Sequence, residues 1–456
     1  MSRVLVVGLD CVPPALAFDR WAAEMPNLTA LRRRGRWGPL RSTMPPITVP
    51  AWTSMVSGQD PGALGLYGFR NRVVERSRPT YDLRLATSRD VKVKRVWDRL
   101  GEAGRSVAAL FVPLTSPPTP VRGVMASCFL HANGPWTFPP KFGAELETRF
   151  GAYQSDVASF RDGDLNRIFE ELHAMTAQHF AIARHVWTER RPDFQMMVEM
   201  GPDRMHHAAW RHLDPDAPGH DPGNQWLERA LGYYRAVDEE LGRLLNDASD
   251  ATVIVVSDHG ARAMQGGFAI NELLIQHGWL VLRETPTAAT PLRDCVDWAK
   301  TRAWGEGGYY ARLWLNVKGR EPNGTVEAND APAALETLRA LIASEAPSDT
   351  KMWAPDELYD VVRGVPPDLF CAFGDLGFRS IGTVGHGQAR LDPLALGHDG
   401  CNHDWNGIHV AAGPGIEPAA VVPASILQVE AWCRSCPLYP SPAPRERQKP
   451  RMQPSA

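Results

Sequence analysis

Thr252-Val-Ile-Val-Val-Ser-Asp-His-Gly260 decides how this chain is read. Thr252–Val256 is a run of β-branched residues, too short for a helix and closed by polar turn formers. Such a run predicts a strand buried on both faces of a parallel sheet. Val4–Leu9, Ser106–Val112 and Phe194–Met200 have the same character. The stretches between them carry apolar residues at three- and four-residue spacing. Asn166–Thr188 and Gln225–Leu245 are examples, and both predict amphipathic helices. Strands and helices in alternation predict an α/β fold with a mostly parallel central sheet covered on both faces.

Beyond Gly260 the pattern changes. Short helical pieces, a strand-like Arg312-Leu-Trp-Leu-Asn-Val317 and many Gly/Pro turns suggest an inserted cap subdomain over residues 266–385. Gly407–Gly413 reads as a returning core strand. The expected division is a first core part over 1–265, the cap over 266–385 and a returning core part over 386–437. A Pro- and Arg-rich tail over 438–456 is expected to be disordered.

A chain of 456 residues suits one large α/β domain with insertions, or two to three domains. Apolar residues at 44% and charged residues at 22% allow a packed core. The 49 Lys+Arg and 52 Asp+Glu leave a formal charge of −3, which argues against a nucleic-acid polymer or anionic lipid as main partner. No apolar run approaches the roughly 18 residues that cross a bilayer, and the stretch after Arg3 is too short for a signal-peptide core. The seven cysteines are scattered and odd in number, which disfavours a disulfide framework and points to a reducing cytoplasm. Cys433-Arg-Ser-Cys436 is read as two incidental thiols.

Ligands of a parallel sheet bind beyond the carboxyl ends of its strands. Asp10 closes the first strand, Phe194–Met200 leads to Asp203, and Thr252–Val256 runs out on Asp258-His259. A lone strand-end acid is usually a turn former or helix cap, whereas three acids at three exits form a constellation. In Asp203-Arg-Met-His-His207 the outer two residues project from one face of a helix. A carboxylate and a neutral imidazole at that spacing suit Zn2+, although a hydrogen-bonded pair is the commoner meaning of the spacing alone.

Met44-Pro-Pro-Ile-Thr48-Val-Pro-Ala-Trp-Thr53-Ser54 packs three prolines around Thr48 just ahead of a helix start. The prolines predict extended backbone on both sides of Thr48. A hydroxyl there would sit where backbone N–H groups favour an anion, but helix capping by Thr48, Thr53 or Ser54 is equally open. Gly400-Cys-Asn-His403 offers one more imidazole just before the last core strand.

Taken in order, these segments carry a family likeness. They are Val4–Asp10, Met25–Leu28, Ser42–Ser54, Asp203–His207, Val256–Gly260, Asn271–Arg283, Leu313–Pro322, Pro367–Leu369 and Gly407–Ile416. The set resembles the type I phosphodiesterase/nucleotide pyrophosphatase family of the alkaline phosphatase superfamily, up to about residue 420. The resemblance implies a three-layer α/β/α sandwich with an inserted cap. It also implies a metal-dependent hydrolase of small-molecule phosphoesters, of phosphodiester or nucleotide pyrophosphate type. Asp10, Thr48, Asp258 and His259 would surround one divalent ion, and Asp203, His207 and His403 the other. Zn2+ is the expected metal, with Mn2+ as a substitute. Two such cations about 4 Å apart clamp the attacking and leaving oxygens of an in-line displacement. Thr48 would attack phosphorus, and water would then release the phosphorylated or nucleotidylated threonine.

Several positions depart from the family pattern. Phe69 aligns with an asparagine that helps bind a phosphoryl oxygen there, and Asn71 is nearby but out of register. Cys11 stands where glycine or another small residue is usual. Ser425–Glu430 lacks the common Asp-x-x-Pro, and His398 is a fallback for His403. A sulfatase would need a Cys or Ser in C/S-x-P-x-R, and Thr48-Val-Pro-Ala-Trp52 excludes it. Membrane phosphoethanolamine transferases carry spanning helices that are absent here. A phosphomonoesterase, phosphonate hydrolase or phosphomutase would share the ligands. A metal-stabilised binding protein without turnover is the non-enzymatic alternative. The sequence does not speak to oligomeric state.

Overall fold

The computed structural model describes residues 3–72, 81–131 and 133–434. The expected tail over 438–456 and Cys436 lie outside the described residues. Nine strands make the central sheet: β1 (Val4–Leu9), β2 (Arg36–Arg41), β3 (Val107–Leu110), β4 (Gly123–Ala126), β5 (Thr137–Phe138), β6 (Phe194–Glu199), β7 (Thr252–Val256), β8 (Asn406–Ala412) and β9 (Ala424–Ser425). Their order is β9-β2-β8-β7-β1-β6-β3-β4-β5. β1 is the middle strand, parallel to β6 and β7 with Val4 opposite both Phe194 and Thr252.

The centre of the sheet follows from the apolar runs. Leu5, Val7 and Leu9 enter one core and Val4 and Val6 the other, because alternate side chains leave opposite faces. Each such burial stabilises by roughly 1.5–3 kcal/mol. The first face is covered by α2 (Leu165–His185), α3 (Gly201–Leu213) and α4 (Trp226–Asp247). The second is covered by α1 (Thr48–Ser57) and the short helices Val96–Glu102 and Val429–Arg434. This is the three-layer α/β/α sandwich that the resemblance implies.

Two elements differ from the sequence expectation. The α2 periodicity runs to Thr188, but the helix widens into a π turn at Val186–Arg190 before Arg191 adopts a left-handed conformation. The returning strand β8 is antiparallel to β7 and β2 on either side.

The stretch expected as a cap has its own apolar core, including Trp304, Leu313, Trp314 and Leu369. Its antiparallel sheet is Ala303–Glu306, Ala311–Leu315, Leu369–Ala372 and Lys351–Trp353. A second small sheet pairs Gly266–Ala269 with Phe378–Ile381 and Arg390–Leu391, so its last strand falls past residue 385. Cys433 is buried. Among the described residues no helix is long and apolar enough to cross a membrane.

Candidate active site

Asp10 sits one residue past β1, and its orientation begins at Gly8. A side chain on Gly8 would collide with the Trp52 ring, so glycine lets that indole cross the strand. Trp52 Nε1 then donates to Asp10 Oδ2 at 2.6 Å. Cys11 follows with φ +65°, the left-handed region that favours glycine. Its backbone N–H donates to Asp258 Oδ1 at 3.3 Å, which ties the exits of β1 and β7 together.

Asp203 and His207 lie one turn apart in the first half of α3, with His207 Nε2 3.3 Å from Asp203 Oδ1. His403 arrives from Cys401–Asp404, a strand that pairs with Gly260–Ala263 just after His259. His207 Nε2 and His403 Nε2 are 3.3 Å apart, and His403 Nε2 is 3.9 Å from Asp203 Oδ1. His259 Nε2 is 3.2 Å from Asp258 Oδ2 and 3.6 Å from Asp10 Oδ1. Asp203, His207 and His403 thus make one compact group of ligand atoms, while Asp10, Asp203 and His259 make another. Asp203 belongs to both groups, whereas the resemblance implied only one. His398 is exposed and packs on Gly163, so it is not part of this cluster.

The donor set fits cations. Asp10 Oδ1, Asp203 Oδ1, Asp258 Oδ2 and His259 Nε2 are buried and have no hydrogen-bond partner. Buried polar atoms are almost always paired, so four orphans at one spot indicate a missing positive partner. The imidazoles agree. His207 Nδ1 donates to Asp399 at 2.9 Å, His403 Nδ1 to Pro46 O at 2.8 Å and His259 Nδ1 to Gly260 O at 3.1 Å. With the outer nitrogen protonated, each Nε2 presents a lone pair inward, as metal-ligating histidines do.

Charge is divided across the cluster. Burial, then Asp203, pushes the Asp10 carboxyl well above the usual range; burial, then Asp10, does the same to Asp258. Burial also works against ionised Asp203, but His207, Arg204 and His403 outweigh it and hold that carboxyl well below the usual range. His259 is lowered to about 4 by burial.

Residues that no sequence pattern disclosed support this cluster. Arg204 donates to Asp203 Oδ2 at 2.7 Å and makes two 2.7 Å bonds to Asp156. Arg161 Nε donates to Asp399 at 2.7 Å and its Nη2 to the Tyr309 hydroxyl.

Thr48 is the first residue of α1, after an extended Ile47. The extended backbone expected at Thr48 is therefore confined to the residue before it. Thr53 donates back to Val49 O at 2.7 Å, as an in-helix hydroxyl does. Ser54 is fully buried. Thr48 instead lines a cavity of about 460 Å3 together with Asp203, His207, His403 and Phe69. Asn71 is occupied elsewhere: it accepts from Tyr67 N at 2.7 Å and donates to Gly68 O at 2.9 Å.

A family model for type I phosphodiesterase/nucleotide pyrophosphatase matches residues 4–387. The chain belongs to that family. It is a phosphoester hydrolase, and buried Asp and His groups that can hold metal ions are in place. No curated protein matches it. Among solved structures it is similar to human ectonucleotide pyrophosphatase/phosphodiesterase 5, with 13% identity and a TM-score of 0.58 over 94% of this chain and 93% of that one. It is also similar to phosphonoacetate hydrolase from Sinorhizobium meliloti 1021, with 16% identity and a TM-score of 0.59 over 95% of each chain. At these identities the likeness is one of fold.

Proposed function

We propose that the family's hydrolysis runs here through a phosphorylated Thr48 at a site for two divalent ions. Asp10, Thr48, Asp258 and His259 would hold one ion and Asp203, His207 and His403 the other. The observation that carries this reading is the set of four orphaned buried atoms beside inward-facing imidazoles. When bound, the ions would supply Lewis-acid polarisation and charge neutralisation. Carboxylates and imidazoles suit Zn2+, with Mn2+ as a substitute.

Thr48 is positioned for attack. It lines the cavity, and it opens a ten-residue helix whose first N–H groups have no partner within the helix. Those N–H groups favour the phosphoryl oxygens that gain charge in the transition state. Thr48 Oγ, having lost its proton, forms a bond to phosphorus as the bond to the leaving alkoxide breaks; water then adds to phosphorus, the P–Oγ bond breaks, and a proton from the water returns to Oγ. Arg204 steadies Asp203 and Asp399 steadies His207, so two ligand atoms are aimed before substrate arrives.

Phe69 at the cavity wall, beside Phe129, offers no amide to a phosphoryl oxygen. We therefore expect weaker selection for nucleotide diesters than in the nucleotide-specific relatives, with monoesters or phosphonates as the alternative substrates. We further propose the division into a core over 1–265 and 386–437 and a cap over 266–385. Cys11, Cys128, Cys295, Cys371 and Cys401 are buried free thiols, which fits a reducing cytoplasm.

Purified protein loaded with Zn2+ or Mn2+ and given a panel of aryl phosphodiesters, monoesters and phosphonates tests the reading. We expect diester turnover, with the modified residue mapped to Thr48 by mass spectrometry on a slow substrate. An adduct on Thr53 or Ser54 would overturn the assignment, and no turnover with metal bound would favour a binding protein.

A further inference from the structure

The catalytic cavity does not end at Thr48. It opens into a second cavity of about 850 Å3, and Arg70, Leu83, Glu306, Gly307, Gly308 and Arg379 line both. At the waist between them the Gly307 backbone lies too close to that of Gly382 for a side chain on either. The far cavity is walled by aromatic rings of the cap. Tyr81 stacks on Trp298 at 3.7 Å between centroids, and the Trp304 ring meets Tyr81 edge-on at 5.2 Å.

The arginines of this cleft are not equivalent. Arg204 and Arg161, beside the ligand cluster, are committed to Asp156, Asp203 and Asp399 at 2.7 Å. At the waist, Arg379 comes no nearer to Asp399 than 3.9 Å. The Arg70 guanidinium makes no hydrogen bond among the described residues; only its backbone carbonyl is used, by Arg312. Glu306 is the one acid shared by the two cavities, and both Arg312 and Arg70 act on it electrostatically. The far cavity adds Asp82 and Arg293, one charge of each sign. The waist thus keeps two guanidinium groups with donors to spare, next to a site already equipped for the phosphoryl group. Planar guanidinium groups with free donors select anionic oxygens.

We propose that Arg70 and Arg379 form a subsite for a second anionic group on the substrate, a carboxylate or phosphate-type oxyanion carried by a substituent of the scissile phosphoester. The rest of that substituent lies against Trp298 in the cap's cavity. The inference rests on the hydrolase reading for the position of the phosphorus. It explains why the catalytic cavity opens into a larger one that a simple monoester would leave empty.

Diphenyl phosphate, bis(4-carboxyphenyl) phosphate and bis(4-phosphonophenyl) phosphate test it. All are symmetrical, so it does not matter which substituent leaves. With metal-loaded protein, kcat/KM for the better charged ester should exceed that for diphenyl phosphate at least tenfold. The ratio between the two charged esters tells carboxylate from phosphonate preference. Arg70→Ala/Arg379→Ala should lower the charged-to-uncharged ratio at least tenfold, and Arg70→Glu should lower it further than Arg70→Ala. A ratio that stays within twofold of wild type in both variants would overturn the subsite. Calorimetric binding of the same esters to Thr48→Ala, with and without the arginine substitutions, separates this from catalysis. Loss of binding only for the charged esters upholds the subsite even if no ester is ever cleaved, in which case the hydrolase reading fails instead. Equal loss for all three esters would mark the arginines as merely structural.

Discussion

The two halves of the ligand cluster keep their charges in opposite ways. Around Asp203 the protein supplies its own counter-charges. Arg204 lies at 2.7 Å from that carboxylate, and His207 is braced by Asp399 at 2.9 Å. Around Asp10 and Asp258 the donors are an indole and one backbone N–H, both neutral. Burial is nearly complete in both halves, yet Asp203 is driven down while Asp10 and Asp258 are driven up. The Asp203 half is preorganised by ion pairs. In the Asp10 half burial favours the neutral carboxyls, so a cation bound there would favour their ionisation.

The largest expected effect leaves this comparison intact. Thr48→Ala should cut turnover by about 10³-fold or more, while Asp10, Asp258 and His259 still hold the ion that Thr48 shares with them. Thr48→Ser should retain measurable turnover, since it keeps an oxygen to attack phosphorus. Full activity in Thr48→Ala, measured on any aryl diester, would remove Thr48 from the mechanism.

Breaking the brace on one half should sharpen the difference. Asp399→Asn should weaken metal affinity about 10–100-fold at the Asp203 half, because an amide cannot hold His207 as a carboxylate does. Trp52→Phe removes a neutral donor from the Asp10 half and should cost less there. Metal titrations in which Trp52→Phe loses more affinity than Asp399→Asn would reverse the comparison.

The smallest effect is on pH dependence without metal. Burial favours neutral His207, but Asp399 and Asp203 outweigh it and lift the imidazole from 6.5 to about 10. A raised folded-state pKa gives stability that is full below the unfolded value and lost as pH climbs through the folded one. The raised carboxyls of Asp10 and Asp258 act in the same direction. Metal-stripped protein should therefore lose a few degrees of Tm between about pH 6.5 and 10. Asp399→Asn should flatten that slope. A Tm that rises over this range would show that the His207–Asp399 pair is not charged in the metal-free state.

Much of this was legible in the sequence, for a local reason. β1, β6 and β7 are apolar runs of strand length, and Asp10, Asp203 and Asp258-His259 follow them within a few residues. The α3 spacing likewise joins Asp203 to His207 within one turn. What was hidden depends on distant partners. Asp399 meets His207 from 192 positions away and Arg161 from 238, out of an irregular segment with no periodicity to announce it. The sharing of Asp203 between both groups, and the helical start at Thr48, are settled by packing rather than by local pattern.

The division of the cluster into two metal-holding halves is tested most directly by counting metal. Elemental analysis of Zn2+-loaded wild type, Asp258→Ala and His403→Ala, each checked for native circular dichroism, should read two ions per chain in the wild type. It should read close to one ion in each variant. Asp258→Ala should lose the ion of the Asp10 half and His403→Ala that of the Asp203 half. An unchanged count in both folded variants, or a wild type that binds no more than one ion, would contradict the account.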